Sequence, residues 1–322
     1  MSQLLPERIL QSGFGLWSAR VLLAAIELGV FTELARGPRT REQLQRKLEL
    51  DARSAGDFLD ALVSLKWLER EGDDDAAVYV NSREAAAYLD ARQPADLGGW
   101  LHEGHAALAA GWDSLTGMLR SDAARAASPG GVRWRDAWLG PFARLLGDAL
   151  AHRLSFARTH TLLDVQGGAA DLACALATAR PQLEAITLLP AARLDAARAL
   201  VERHGLGARV RVLPLHREWP RADAVVLNRW SPACELPLFD ELALARAALH
   251  PGGRLLLIDH LLDDARRHDA GALMAILCRR MAGEALTTRT GGAAQALCRA
   301  AGFVRTECVS LLGGTSVVQA FV

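Results

Sequence analysis

From residue 160 onward the sequence alternates short apolar segments with helical patterns, and this alternation restricts the fold more than any other feature. TLLDV (161–165) predicts a strand, GGAADLACALATAR (167–180) a helix, and LEAITLLP (183–190) a second strand. Strands joined through helices run parallel in one sheet. Further strands are predicted at RVRVLPL (209–215), ADAVVLN (222–228) and RLLLIDHLL (254–262). Five such strands predict an α/β domain whose sheet is covered on both faces.

The last twenty residues depart from this alternation. FVRTECVSLLGGTSVVQAFV (303–322) contains two apolar stretches joined by Gly313-Gly314, which predicts a hairpin at the sheet edge. A dinucleotide-binding sheet is parallel to its end, so the hairpin argues against that class. Pro251-Gly252-Gly253 predicts a turn before the fifth strand.

The N-terminal third has a different organisation. Residues 16–35 predict two closely packed helices, and Thr40 with Gln43 forms a capping box. Asp51 is expected to cap a helix over ARSAGDFLDALVSLKWLERE (52–71), and VYVN (78–81) predicts a strand. This order is that of a winged helix.

A winged helix often binds DNA, but the second helix is a poor surface for phosphates. It carries Arg53 and Lys66 beside Asp57 and Asp60. The chain has 37 basic and 37 acidic residues and no block of like charges, so neither nucleic acid nor an anionic membrane is an expected partner. The apolar excess of residues 16–68 instead favours packing against a second copy of the chain.

Targeting and cysteine patterns indicate a cytoplasmic protein. Glu7 and Arg8 lie where a signal peptide requires an apolar core, and no apolar run approaches the roughly 20 residues of a membrane span. Five cysteines without CxxC spacing favour buried free thiols over disulfides or a zinc knuckle.

The middle of the chain is predicted to form helices over a pocket. His102, Glu103 and His105 lie close together in LGGWLHEGHAALAAGWDSLTGMLR (97–120). A metal site requires a further ligand that the sequence does not identify, so no metal is predicted. A polar pair facing a substrate and a structural or surface role both remain open.

Several segments together resemble a known family. The helices at 16–68, DVQGG (164–168), ARAALHPGGRLLLID (245–259) and AAGF (300–303) with its hairpin are similar to plant caffeate-type and bacterial polyketide or phenazine O-methyltransferases. These are class I enzymes that use S-adenosylmethionine. The resemblance implies a mostly helical winged-helix dimerisation domain (1–95), a helical linker lining the substrate pocket (96–155) and a Rossmann-like domain (156–322). It further implies a mixed seven-stranded sheet with an antiparallel last strand, and a homodimer.

The sequence departs from this family where the cofactor binds. The family's loop D-x-G-x-G-x-G corresponds to Asp164-Val165-Gln166-Gly167-Gly168-Ala169-Ala170. Gln166 and Ala170 replace the first and third glycines, which let the backbone approach the cofactor. Leu188 stands where the family has an acidic residue that grips the ribose.

Two further family motifs are changed. The chain has Leu213-Pro214-Leu215 where a Gly-Asp pair lies near the adenine, and Pro232 takes the place of the histidine that acts as general base.

These departures predict a degraded S-adenosylmethionine site and a chain that uses no cofactor. The leading hypothesis is an enzyme of small-molecule biosynthesis that uses the retained cavity for another reaction. Two alternatives are an O-methyltransferase with atypical cofactor contacts, and a non-catalytic partner or ligand-binding protein. The candidate catalytic residues are His102, His105 and Arg229. The candidate pocket residues are Trp112, Trp230, Met274, Cys278, Met281 and His260.

Overall fold

The computed structural model describes most of the chain. The described residues are 6–73, 76–93, 95–113, 115–120, 131–165, 168–216, 218–229, 237–281 and 287–322. They form two compact units, Met1–Ala106 and Ala107–Val322. The boundary lies inside the predicted linker, so the division into 1–95, 96–155 and 156–322 stays a prediction.

The first unit is mostly helical. Its elements are α1 (Glu7–Glu27), α2 (Val30–Leu34), β1 (Arg39–Thr40), α3 (Arg41–Lys47), α4 (Ala55–Ser64), β2 (Leu68–Glu71), β3 (Val78–Asn81), α5 (Arg83–Tyr88) and the first part of α6 (Gly98–Asp113). The strands form an antiparallel sheet in the order β1-β3-β2. Phe31, Leu44, Leu59 and Leu62 form the centre of its core. The name winged helix remains an interpretation of this arrangement.

The helix predicted over 52–71 is shorter in the structure. The capping box of Thr40 and Gln43 is confirmed, but the Asp51 carboxylate accepts from the backbone N–H of Arg53 and α4 begins only at Ala55. The helix ends at Ser64, and Lys66 adopts a φ of 67°. This left-handed residue redirects the chain into β2, which pairs with β3.

Helix α1 exposes a large apolar surface. Ile9, Phe14, Leu16 and Trp17 are exposed, Trp17 by 64%, and the Phe14 and Trp17 rings stack with centroids 4.8 Å apart. The prediction that no apolar run approaches the length of a membrane span is wrong, because by length and composition alone this helix is apolar enough to cross a membrane. One such helix near the N-terminus is weak evidence of a span. An exposed apolar surface of this kind is typical of a site of interaction, and a cytoplasmic location stays a prediction.

The second unit contains a seven-stranded sheet with helices on both faces. Its further elements are α7 (Leu115–Arg120), α8 (Gly131–Arg153), β4 (Thr161–Val165), α9 (Asp171–Ala179), β5 (Glu184–Leu189), α10 (Leu194–Arg203), β6 (Val210–Pro214), β7 (Ala222–Asn228), α11 (Leu238–Ala247), β8 (Leu249–Asp259), β9 (Leu261–Leu262), α12 (Ala270–Met281), β10 (Arg289–Thr290), α13 (Gly291–Ala300), β11 (Arg305–Ser310) and β12 (Ser316–Phe321). The sheet order is β11-β12-β8-β7-β4-β5-β6. Strand β12 is antiparallel to both of its neighbours, whereas β8, β7, β4, β5 and β6 are parallel. The predicted α/β class and antiparallel last strand are confirmed.

The turn predicted at Pro251-Gly252-Gly253 lies within the range of β8, where Gly252 has a left-handed φ of 76°. The register with β7 shifts between Ala222 and Ala224, so the extra residues form an irregularity of the strand. A Cβ on Gly253 would lie 2.8 Å from the Asp223 carbonyl oxygen. Glycine is needed there because the two backbones approach closely.

Candidate functional site

The candidate site lies at the carboxyl ends of three neighbouring parallel strands. Strand β7 lies between β8 and β4 in the sheet. Asp164 is close to the end of β4, Arg229 follows β7 directly, and Asp259 ends β8. Ligands of open α/β sheets bind outside these ends, so the topology brings the chemically active side chains to one edge.

Asp164 is a buried carboxyl group at the centre of this edge. Its exposed fraction is 0%, and neither carboxylate oxygen makes a hydrogen bond of standard geometry with the described residues, although the Thr187 hydroxyl of β5 is near enough to lower its pKa. Burial, with the nearby charge of Asp171, raises the pKa of Asp164 to about 7. The side chain therefore changes charge in the physiological range.

The loop after β4 keeps a glycine-like backbone although its sequence departs from the family motif. Gly168 has a φ of 82° and Ala170 a φ of 75°. Ala170 is fully buried and precedes the first residue of α9. An alanine in this left-handed region costs about 1–2 kcal/mol, so the surrounding structure holds it there. Gln166 and Gly167 lie outside the described residues.

Leu188 lies near the end of β5 and is completely buried. It belongs to the same apolar cluster as Leu163, Val165 and Leu227. Leu188 therefore packs in the core at the position where the family has an acidic side chain.

Of the three predicted catalytic candidates, Arg229 lines a cavity at the end of β7. A cavity of about 100 Å³ is lined by Arg229, Asp259, His260, Arg279 and Arg289, with Thr288 among the remaining lining residues. The Arg229 guanidinium is ion-paired with Glu241 of α11 at 2.5 Å.

His260 lines the same cavity and is 2% exposed. Burial and the charge of Arg279 lower the pKa of His260 to about 3, so the imidazole is neutral at physiological pH. Trp230, predicted beside Arg229, and Pro232 lie outside the described residues.

Three other predicted pocket residues, Trp112, Cys278 and Met281, lie in a separate cluster. Cys278 and Met281 are buried on α12 and pack with Trp112, Leu115 and Met118. Met274 shares their helical spacing but is 48% exposed. The helical stripe is therefore only partly a packing surface, and the prediction that these side chains contact a substrate stays untested.

The predicted histidine pair lies on α6 in the first unit. His102 is exposed and His105 is half-buried. Burial first, and then Arg20 and His102, lower the pKa of His105. Their catalytic assignment stays a prediction.

Cysteine burial follows the prediction only in part. Cys174, Cys278 and Cys298 are buried free thiols, but Cys308 is exposed on β11. Cys234 lies outside the described residues. Within the described ranges no group of three His, Cys, Asp or Glu side chains has the arrangement of a metal site.

Sequence reasoning missed Asp259, Arg279 and Arg289. Arg279 is ion-paired with Asp259 at 3.5 Å and donates to the Arg229 carbonyl at 3.2 Å. Burial lowers the pKa of Arg289, the charge of Asp259 raises it, and the charge of Arg229 lowers it. The only local signal was the position of Asp259 at the end of an apolar strand.

Comparison with known proteins identifies both parts of the chain. An O-methyltransferase dimerisation domain model matches residues 10–91, and an O-methyltransferase domain model matches residues 136–304. The chain is 32% identical over 290 residues to the tetracenomycin polyketide synthesis 8-O-methyl transferase of Streptomyces glaucescens, covering 84% of each protein. It is 31% identical over 265 residues to an N,N-dimethyltransferase of Streptomyces rimosus, covering 77% of this chain and 76% of that protein.

A solved structure matches nearly the whole chain. The human N-acetylserotonin methyltransferase in complex with S-adenosylmethionine aligns with a TM-score of 0.77 at 20% identity, covering 99% of this chain and 98% of that one. The prediction that the chain uses no cofactor is wrong, because the matched domain family and this cofactor-bound neighbour make a cofactor the expectation. No finding supports the predicted loss of methyl transfer or a different reaction.

Replacing Leu188 tests whether an acidic residue can be restored at this position. Leu188→Asp places an unpaired carboxylate in the core and is expected to lower the free energy of unfolding by roughly 3–5 kcal/mol. The volume-conserving control Leu188→Ile is expected to lower it by less than about 1.5 kcal/mol. Urea unfolding at pH 7 measures both, and equal stability of the two variants would contradict the buried position.

The pKa of Asp164 predicts a pH dependence. Its ordinary pKa is 3.8 and its folded pKa is about 7, so between these values the folded state holds a proton that the unfolded chain has lost. The free energy of unfolding therefore falls as pH rises from about 4 to about 7 and stays lowered above that.

Asp164→Asn removes this dependence. At pH 8 the ligand-free variant is expected to be more stable than the wild type by about 1–4 kcal/mol, with the difference vanishing toward pH 4. Urea unfolding at a series of pH values measures this. A constant difference between variant and wild type would show that Asp164 does not titrate as described.

Proposed function

This chain belongs to the O-methyltransferase family, and we propose that it transfers the methyl group of S-adenosylmethionine to a hydroxyl group of a small aromatic molecule of secondary metabolism. Both domain models of the family match, in the expected order. The polyketide 8-O-methyl transferase matched over 84% of its length supports an aromatic acceptor.

The observation that carries this proposal is the conformation of the loop after β4. Gly168 and Ala170 both have left-handed backbones, the conformation for which the family uses glycine. Beside this loop, Asp164 presents two buried oxygens that make no hydrogen bond of standard geometry with the described residues. A buried polar group of this kind is suited to a polar or cationic ligand, so the loop fits the methionine part of S-adenosylmethionine.

The second contact of the cofactor differs from the family pattern. Leu188 is fully buried and supplies no polar atom for the ribose hydroxyls. This supports an O-methyltransferase with atypical cofactor contacts, in which binding depends more on the loop than on a ribose acceptor.

The chain's own residues have limited but definite roles in this reaction. When bound, S-adenosylmethionine supplies an electrophilic methyl group. Holding the acceptor in line with that group provides much of the rate even without a strong base. His260 is a poor base because its cationic form is disfavoured by burial and by Arg279. The catalytic role predicted for His102 and His105 stays a prediction, and Arg229 is a candidate for orienting the acceptor.

Calorimetric titration with S-adenosylmethionine and S-adenosylhomocysteine tests this function, followed by transfer of a labelled methyl group to a panel of hydroxylated aromatic compounds. Micromolar binding and product formation are expected. Gly168→Ala is expected to weaken binding, because a side chain is introduced beside the ligand. The control Gly205→Ala has the same left-handed strain, with a φ of 64° and open space around the added Cβ, and should bind normally. Absence of both binding and transfer would refute the proposal.

We further propose that the chain is a homodimer through its first unit. The matched dimerisation domain includes most of α1, and this helix exposes Ile9, Phe14, Leu16 and Trp17. An apolar surface of this kind is typical of an interface. A second copy of the chain supplies an identical surface, as a two-fold interface requires.

Trp17→Glu tests the dimer. A charge in the apolar surface is expected to shift the protein from twice the monomer mass to the monomer mass in light scattering after size exclusion. The matched control Val304→Glu alters a side chain that is 78% exposed in the second unit and should leave the mass unchanged. A wild type that is already monomeric would contradict the proposal.

A further inference from the structure

The cavity at the ends of β7 and β8 combines small size with strong charge. Its volume is about 100 Å³, which accommodates a carboxylate group with room for water. Three arginines, Arg229, Arg279 and Arg289, line it. Arg279 is only 8% exposed, so part of this positive charge lies well inside the protein.

Among the described residues near the cavity, carboxylates are fewer than guanidinium groups. Arg229 is paired with Glu241 at 2.5 Å, and Arg279 with Asp259 at 3.5 Å. Arg289 is attracted by the same Asp259 and repelled by Arg229. Among the described residues of this cluster, three cations therefore face two carboxylates, and a bound anion would balance the excess.

The residue types match one kind of anion. Guanidinium groups bind carboxylates through two parallel N–H donors, which fixes orientation as well as charge. The cavity draws them from three separate segments: Arg229 after β7, Arg279 on α12, and Arg289 in β10. Donors converging from different elements provide more directional recognition than a single exposed arginine.

The position of the cavity indicates which part of an acceptor it would hold. Strand β8 is two strands away from β4 in the sheet, and adjacent strands are about 4.8 Å apart. The cavity therefore lies roughly 5–10 Å from the end of β4, where the loop for the methyl donor begins. A group bound in the cavity and a hydroxyl held beside that loop can therefore belong to one acceptor, with the bound group as an anchor.

We propose that this cavity binds a carboxylate of the acceptor, so that the substrate of this chain is a hydroxylated aromatic acid. The inference deepens the proposed function and rests on it, since it identifies the bound molecule as the methyl acceptor. Arg289 is the residue that determines this specificity, with Arg229 and Arg279 contributing charge.

Binding of 3-hydroxy-2-naphthoate and of its neutral amide, 3-hydroxy-2-naphthamide, tests the proposal. The wild type is expected to bind the acid at least about tenfold more tightly than the amide, as one charge-assisted contact provides. Arg289→Gln should abolish this preference and leave amide binding unchanged. Arg289→Lys, which keeps the charge but not the two parallel donors, should retain part of it.

A matched control separates a local effect from a general change of charge. Arg198→Gln removes an exposed arginine on α10 that is paired with Asp195, and it should bind both probes as the wild type does. Thermal melts of all variants confirm folding. Equal binding of acid and amide by the wild type, failure of both to bind, or an equal loss in Arg198→Gln would overturn the proposal.

Titration with S-adenosylhomocysteine distinguishes this inference from the proposed function and from the other source of a carboxylate, the cofactor itself. Its affinity should be the same in Arg289→Gln and in the wild type. A loss of affinity for S-adenosylhomocysteine in Arg289→Gln would assign the cavity to the cofactor's carboxylate and overturn the acceptor subsite. Unchanged S-adenosylhomocysteine binding with no acid preference would refute the subsite alone and leave the proposed function intact.

Discussion

Burial of β4 at the centre of the sheet is the constraint on which the candidate site depends. Strands β5 and β7 pair with β4 on either side, and four of the five residues of β4 are buried. A polar side chain near the end of this strand cannot reach solvent, which is why the pKa of Asp164 rises to about 7.

The sequence contains most of this architecture because buried parallel strands are continuous apolar runs. TLLDV and ADAVVLN match β4 and β7 residue for residue. The prediction of a helix that continues to residue 71 is wrong because an apolar pattern does not indicate the left-handed backbone at Lys66. The arginine cavity was missed for another reason: its residues come from segments between 229 and 289 that only the fold brings together.

Comparison with the family motif overestimated the damage to the cofactor site because it treated each substitution as a lost contact. Ala170 keeps the backbone that glycine would adopt, at a cost of about 1–2 kcal/mol. That cost is a modest part of the roughly 5–15 kcal/mol by which domains are stable, so the strand and helix on either side can impose the loop. Leu188 similarly loses a polar contact but gains complete burial in the core.

The charges along the sheet edge suit a reaction between a cationic donor and an anionic acceptor. Asp164 lies near the end of β4 and Asp171 begins α9, so the two flank the loop after β4, whereas the arginines lie beyond β7. With an effective dielectric constant of about 20, a unit charge about 10 Å away contributes roughly 1.7 kcal/mol, and one at about 5 Å roughly twice that. A cation beside β4 is therefore attracted by each near carboxylate, once ionised, about twice as strongly as it is repelled by each distant arginine. Its presence would in turn favour the ionised form of Asp164, so donor binding and the charge of this carboxyl are coupled.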